Sequence, residues 1–304
     1  MKKVIVCTTI NHPTEAIEKY DSLSDWDLVV IGDKKTPSDY KLKNGNYFSP
    51  DDQDAIAPAL SESIGWNCIQ RRNMGLLIAH QMGADVVCTV DDDNIPLDNW
   101  GRDMWVGSEV EVSEYQISDI AFDPIGATNY PNIWHRGFPL QLIPTRDYTH
   151  KVSKKVTPMV QADFWNGDPD IDAICRMEHK PECDFKNDVF PFSANKPGPF
   201  NSQNTFIHAS LLPDYFLFPY VGRMDDIWAA YYVQALGHRV IYNQATVYQD
   251  RNVHNLIVDM KNEYLGYENN FDLVNDVAIE PKNIEKFLPE KSLLAWTEFR
   301  RSFE

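Results

Sequence analysis

The chain has 304 residues and carries 28 Lys+Arg against 45 Asp+Glu, a formal net charge of −17. That balance argues against nucleic acid as a partner, because phosphate backbones are bound by clustered Lys and Arg. Hydrophobic residues make up 43% and charged residues 24%, a globular mix that excludes a disordered chain and provides for one large domain or two modest ones.

The first hundred residues alternate two kinds of segment. Val4 to Ile10 is a β-branched run that reads as a strand buried on both faces. Thr14 to Tyr20 follows as a short helix entered through Pro13. Trp26 to Ile31 is a second buried strand, stopped by Gly32-Asp33, and 67–82 reads as a helix with Cys68, Ile69, Leu76 and Ala79 on one side. Ala84 to Val90 is a third strand that runs into Asp91-Asp92-Asp93. Strand, helix, strand, helix, strand predicts an α/β fold with a parallel sheet, in which ligands bind beyond the carboxyl ends of the strands. Asn11-His12-Pro13, Gly32 to Pro37 and the aspartate trio all fall on that edge.

The second half is less regular. From about Tyr115 to Pro199 it is rich in Pro, Asn, Asp and aromatics, with short candidate strands such as Asp119 to Phe122 and a Pro/Gly/Asn loop from Ser193 to Ser202. Asp225 to Leu236 is a helix closed by Gly237, and Arg239 to Tyr242 is strand-like. Leu256 to Glu304 is helical and amphipathic. The five cysteines form no CxxC pair and three lie in apolar runs, which reads as buried thiols in a reducing compartment. No stretch approaches the ~18 apolar residues of a membrane span. No secretory signal is read at the start, and the expected location is cytoplasmic.

Several groups could carry chemistry. At an extended strand end Asp91 and Asp93 share a face while Asp92 points away. Two hard carboxylates at a sheet mouth suit Mg²⁺ or Mn²⁺ held jointly with phosphates; a solvated acidic turn is the bland alternative. Arg71, Arg72 and Asn73, in the helix before this strand, read either as a solvated helix face or as offering a bidentate guanidinium to a nucleotide base or diphosphate. Lys34 and Lys35 read as surface lysines or phosphate contacts. Asp225 and Asp226 open a helix, where one cap suffices, so one of them is a candidate general base. His254 lies in a polar cluster after the last strand and could complete a metal's coordination.

Taken together, Thr8-Thr9-Ile10-Asn11, Gly32-Asp33-Lys34-Lys35-Thr36-Pro37, Arg71-Arg72-Asn73, Asp91-Asp92-Asp93-Asn94, Arg136-Gly137-Phe138-Pro139, Trp165 to Asp170, Gly222 to Trp228 and Arg251 to Asn255 resemble glycosyltransferases of the GT-A type. The resemblance is closest to the STELLO-like family and the reversibly glycosylated polypeptides, which are UDP-arabinopyranose mutases. It covers about residues 8 to 255 in consistent order. It implies a GT-A, Rossmann-like nucleotide-diphospho-sugar transferase fold with a mostly parallel central sheet flanked by helices. The GT-A domain would span 1–255, with a nucleotide-sugar half of about 1–110 and an acceptor half of about 111–255, followed by a helical extension over 256–304.

The resemblance further implies a nucleotide-sugar donor, most often a UDP-sugar, a divalent cation bridging carboxylate and diphosphate, and a glycan or other hydroxyl acceptor. It places Thr9, Asn11, Asp33, Lys35, Arg71, Asn73, Asp91 and Asp92 around the donor. Asp93 and Asp91 fall to the metal with His254 as a further ligand, and Asp226 or Asp225 to the acceptor as base. Plant STELLO proteins are Golgi membrane proteins, and their location is not carried over. Two other readings stay open: a UDP-sugar pyranose/furanose mutase and a non-catalytic sugar-binding protein. A sugar nucleotidyltransferase is disfavoured, because Thr9-Ile10-Asn11-His12-Pro13 lacks the glycine-rich phosphate loop.

Overall fold

The computed structural model describes residues 1–250 and 255–304. In chain order the strands are β1 (Lys3–Thr9), β2 (Asp27–Gly32), β3 (Asn46–Phe48), β4 (Val86–Asp91), β5 (Asn94–Pro96), β6 (Val110–Tyr115), β7 (Lys151–Val156), β8 (Val160–Gly167), β9 (Phe192–Ala194), β10 (Asn204–His208) and β11 (Val240–Gln249). The helices are α1 (Glu15–Asp21), α2 (Pro50–Ile56), α3 (Pro58–Ile64), α4 (Arg72–Gln81), α5 (Ala173–His179), α6 (Asp225–Ala235), α7 (Leu256–Ile279) and α8 (Glu290–Arg301).

All the strands join one sheet of order β3-β2-β1-β4-β10-β8-β11-β9-β6-β7, with β5 paired to β11. The quarter formed by β3, β2, β1 and β4 is parallel throughout. Its strands are apolar on both faces because helices cover both, and Val4, Val6, Val29, Val30 and Val87 are fully buried. The cover is close: a Cβ at Gly75 of α4 would lie 2.3 Å from Cγ1 of Val6 on β1, so only glycine admits this approach. Beyond β4 the sheet turns mixed, with β10 antiparallel to both neighbours and β8 parallel to β11. The architecture is thus α/β, a large sheet flanked by helices.

Three elements differ from the sequence expectation. The helix expected over 67–82 becomes α4 only at Arg72, after a 3₁₀ turn at Ile69–Arg71. The delay has a local cause. The Asp33 carboxylate accepts the backbone N–H groups of Asn67 (2.9 Å) and Cys68 (3.1 Å), and Asn67 is left-handed with φ of 59°. Asp119 to Phe122 is irregular, while the strand in that region is β6. β6 pairs antiparallel with β7, and Lys154 bonds Glu114 across the pair at 2.8 Å.

The C-terminal stretch packs on the body of the fold. Trp228 of α6 donates its ring N–H to Asn270 of α7 at 2.8 Å, and Arg300 of α8 donates to the Tyr232 hydroxyl at 2.8 Å. Among the described residues no helix is long and apolar enough to cross a membrane. The five cysteines are free thiols, four of them buried and Cys68 half-buried.

Candidate active site

Two cavities adjoin at the carboxyl edge of the parallel strands, and Ile69 lines both. The first, of about 310 Å³, is bounded by Thr9, Ile10 and Asn11 after β1, by Ile31 and Asp33 at the end of β2, and by Asp92. The second, of about 210 Å³, takes its walls from Asp91 and Asp93, from Ser202 and Gln203 before β10, from Gly222, Arg223, Asp225 and Asp226, and from Gln249 at the end of β11. The trio is divided: Asp91 and Asp93 face the second cavity and Asp92 the first. Asp92 and Asp93 form a turn between β4 and β5, closed by the Asp91 N–H donating to the Asn94 side-chain oxygen at 3.0 Å.

Each aspartate has its own partners. Asp91 is paired with Arg72, whose Nη2 lies 2.5 Å from its carboxylate. Arg72 is fully buried and also bonds the Ser202 hydroxyl (2.7 Å) and the Val90 carbonyl (3.1 Å). Burial, the largest single influence, works against the Arg72 charge, but the neighbouring acidic groups, Asp91 foremost and Asp226 among them, together raise the guanidinium above its ordinary value. Asp92 accepts from the Thr9 hydroxyl (2.5 Å) and the Asn11 amide (3.0 Å), and its carbonyl accepts from the Thr14 hydroxyl that caps α1. Thr9, Asn11 and Asp92 therefore lock the ends of β1 and β4 together.

Across the second cavity, Asp225 and Asp226 occupy the first turn of α6 and are unequal. Asp226 is bound by both Nη atoms of Arg136 (3.1 and 3.2 Å) and accepts the Ser202 N–H at 3.0 Å. Arg136 in turn donates to Asp170 from Nε (2.9 Å) and Nη2 (2.8 Å) and to the carbonyl of Arg223. Burial opposes the charge on Arg136, yet Asp170 and Asp226 push it well above its usual value. Asp225 accepts from Gln70 at 2.7 Å. Burial first, and the neighbouring Asp226 charge second, raise its carboxyl above the usual carboxylate range, although Arg136 lowers it. The two thus differ in surroundings: Asp226 is held by Arg136 and Ser202, and Asp225 by Gln70.

Arg223 reaches the same cavity and is held from α7, where Glu263 accepts its Nε–H at 2.9 Å. Gly222 beside it has φ of +62°, and a Cβ there would lie 2.0 Å from the Asn262 carbonyl of α7.

Other expected donor contacts are placed elsewhere. Asn73 is fully buried, and its amide makes a pair of hydrogen bonds with the Leu217 backbone (2.8 and 2.9 Å), so it serves packing and reaches neither cavity. Arg71 borders the first cavity, but its guanidinium bonds Gln53 (2.8 Å), Ser61 (3.0 Å) and the Gly65 carbonyl (3.3 Å) and stacks on Trp66. That engagement makes it a tie between α2, α3 and α4. Lys35 is exposed and lines neither cavity, while Lys34 sits over the Trp66 ring. Asp33 lines the first cavity as the anchor of the 67–68 loop. His254 lies outside the described residues.

Ser202, Gln70 and Gln249 join the site without having been singled out for it, and Arg72 and Arg136, quoted as parts of motifs, prove to be ion-pair partners of its aspartates. Arg72 carried a readable signal, since it precedes the buried Leu76 by four residues and so shares its face.

For a divalent cation, Asp91 and Asp93 supply hard oxygen donors on one wall of the second cavity, the ligand type Mg²⁺ and Mn²⁺ select. Among the described residues no group of three or more His, Cys, Asp or Glu side chains is placed to hold a metal. The protein donor set fits a cation that draws its other ligands from phosphate and water.

An α/β sheet with a carboxylate-lined double cavity is the class that fold and site define, and its sequence resembles glycosyltransferases. It is 25% identical over 232 residues to the probable glycosyltransferase STELLO2 of Arabidopsis thaliana, covering 69% of this chain and 30% of that protein. To STELLO1 of the same plant it is 24% identical over 257 residues, covering 77% and 33%. The chain thus spans about a third of the length of these curated relatives. No known family profile matches it. Among solved structures it is similar to glucosyl-3-phosphoglycerate synthase from Mycobacterium tuberculosis in complex with Mn²⁺, uridine diphosphate and phosphoglyceric acid, with TM-score 0.47 and 13% identity over 95% of this chain and 80% of that one. The same enzyme with Mn²⁺, UDP-glucose and phosphoglyceric acid gives TM-score 0.47 and 13% identity, covering 95% and 81%.

Proposed function

We propose that this chain is a metal-dependent glycosyltransferase unit of GT-A type, moving a sugar from a UDP-sugar donor to a hydroxyl on a glycan or glycoconjugate. The observation that carries the reading is the pair of adjoining cavities at the strand ends, with Asp92 in one and Asp91 and Asp93 in the other. The sequence likeness to probable glycosyltransferases supports it. The nucleoside fits the first cavity, where Ile10, Ile31 and Ile69 offer apolar surface to a base, and the diphosphate lies by the trio.

Asp93 and Asp91 would hold a Mn²⁺ or Mg²⁺ ion, which when bound offsets charge on the departing diphosphate. Arg72, 2.5 Å from the Asp91 carboxylate, holds it at the wall of the cavity. Asp225, fixed by Gln70, takes the proton of the acceptor hydroxyl as it attacks the anomeric carbon. Asp226, tied to Arg136, holds the start of α6 in place so that Asp225 does not turn away.

The test is a melting-temperature panel of nucleotides and nucleotide sugars with and without Mn²⁺. A ligand at a hundredfold its Kd adds about 2.7 kcal/mol of stability. UDP with Mn²⁺ is expected to raise the midpoint in the native protein and to lose that effect in Asp93→Ala. A panel in which no uridine nucleotide stabilises the native protein refutes the proposal.

A further inference from the structure

Gln249 ends β11 and is 2% exposed. Its backbone is held from both sides, opposite Asn94 of β5 and Gly167 of β8, and its carbonyl accepts the Asp168 N–H at 3.2 Å. A Cβ at Gly167 would come within 2.5 Å of that carbonyl, so the close approach depends on glycine. A main chain fixed in this way leaves the side chain one direction, toward the carboxylate cavity that it lines. The amide oxygen, Oε1, is buried without a hydrogen-bond partner among the described residues.

A buried carbonyl oxygen left unmet is costly, and native structures settle such atoms with a partner. The partner's chemistry follows from the atom. A neutral amide oxygen accepts from O–H or N–H and opposes phosphate oxygens, which carry no proton to give at neutral pH. Arg72 Nε is a second buried polar atom without a partner on a residue lining the same cavity, and it is a donor. An acceptor and a donor waiting in one polar cavity match a polyhydroxylated ligand, whose hydroxyls both give and accept.

We infer that Gln249 determines sugar specificity: its side-chain oxygen accepts a hydrogen bond from a hydroxyl of the transferred sugar, which seats the sugar ring in the carboxylate cavity. This rests on the donor reading above and adds to it a position and a recognition element for the sugar.

The experiment compares the native protein with Gln249→Met, close in size but lacking the acceptor. Calorimetric titration in Mn²⁺ measures Kd for UDP and for UDP-glucose, UDP-galactose, UDP-N-acetylglucosamine and UDP-xylose. Loss of one such hydrogen bond predicts a Kd raised about five- to tenfold for the UDP-sugar that the native protein binds best, with the Kd for UDP unchanged. The ligand-free melting temperature should stay level or rise, because the variant no longer buries an unmet oxygen. Unchanged UDP-sugar affinity, an equal loss for UDP and UDP-sugar, or a lower ligand-free melting temperature overturns the inference and makes Gln249 structural. So does a native protein for which no sugar adds affinity over UDP. Failure of the native protein to bind UDP is a separate result: it removes the donor reading and this inference with it.

Discussion

Asp225 and Asp226 are adjacent in sequence and alike in chemistry, and exchanging each for Asn should separate them. In Asp226→Asn the amide NH₂ meets the donors of Arg136, and two contacts of 3.1 and 3.2 Å become one at most. Breaking a buried pair costs about 3–5 kcal/mol, and the Asp170 carboxylate that still holds Arg136 keeps the cost near the lower figure, about 3 kcal/mol. In a chain of this size about 2 °C of melting temperature follows each kcal/mol, so the midpoint should fall by about 6 °C. Asp225→Asn removes a carboxylate that burial already disfavours in its charged form, and Gln70 can still donate to the new amide oxygen. Its midpoint at pH 7 should stay within about 2 °C of the native value. Turnover behaves the other way. Release of UDP from UDP-sugars, with and without glycan acceptors, should fall about 10²- to 10⁴-fold in Asp225→Asn, while UDP affinity is kept. Native-like turnover in Asp225→Asn, or native-like melting in Asp226→Asn, refutes the assignment of base and fixed charge.

Two further outcomes concern the frame of the site. Gly222→Ala forces a methyl into a positive φ and to within 2.0 Å of the Asn262 carbonyl; it should cost at least about 2 kcal/mol by chemical denaturation, and native stability would contradict the described approach of α7. Asp163 of β8, buried opposite Asn243 of β11, has its carboxyl raised by burial from 3.8 to about 7. A carboxyl raised on folding stabilises while protonated and loses that contribution as pH rises, here between about pH 4 and 7, a span on the order of 4 kcal/mol. Asp163→Asn should therefore gain on the native protein as pH goes from 5 to 8, and parallel pH–stability curves would exclude the effect.

What the sequence discloses follows from how local each determinant is. β1, β2 and β4 stand out because strands covered on both faces must be apolar throughout. β6 and β7 do not, since they are joined in part by charge, with Lys154 of β7 bonding Glu114 of β6. The aspartate trio is legible as an abrupt end to a buried strand, and the aspartate pair as more acid than a helix start requires. Choosing between Asp225 and Asp226 needs Arg136, which lies 90 residues from Asp226, and no local pattern reports on a partner so distant. Arg71 and Arg72 show the opposite case. Arg72, three residues before the sheet-facing Gly75, opens α4, while Arg71 closes the 3₁₀ turn before it. Asn73 follows the same lesson, because its partner is a backbone segment 144 residues away.

Ile69 is common to both cavities, while every other wall residue serves one of them. Substitutions around Ile10 and Asp33 leave the Arg72–Asp91 and Arg136–Asp226 pairs untouched, and changes near Gln249 leave the 67–68 loop as it is. If nucleotide and sugar occupy the two cavities as proposed, descendants of such a chain would drift in the leaving group they accept and in the cargo they deliver as two separate traits, with one isoleucine as the hinge of inheritance between them.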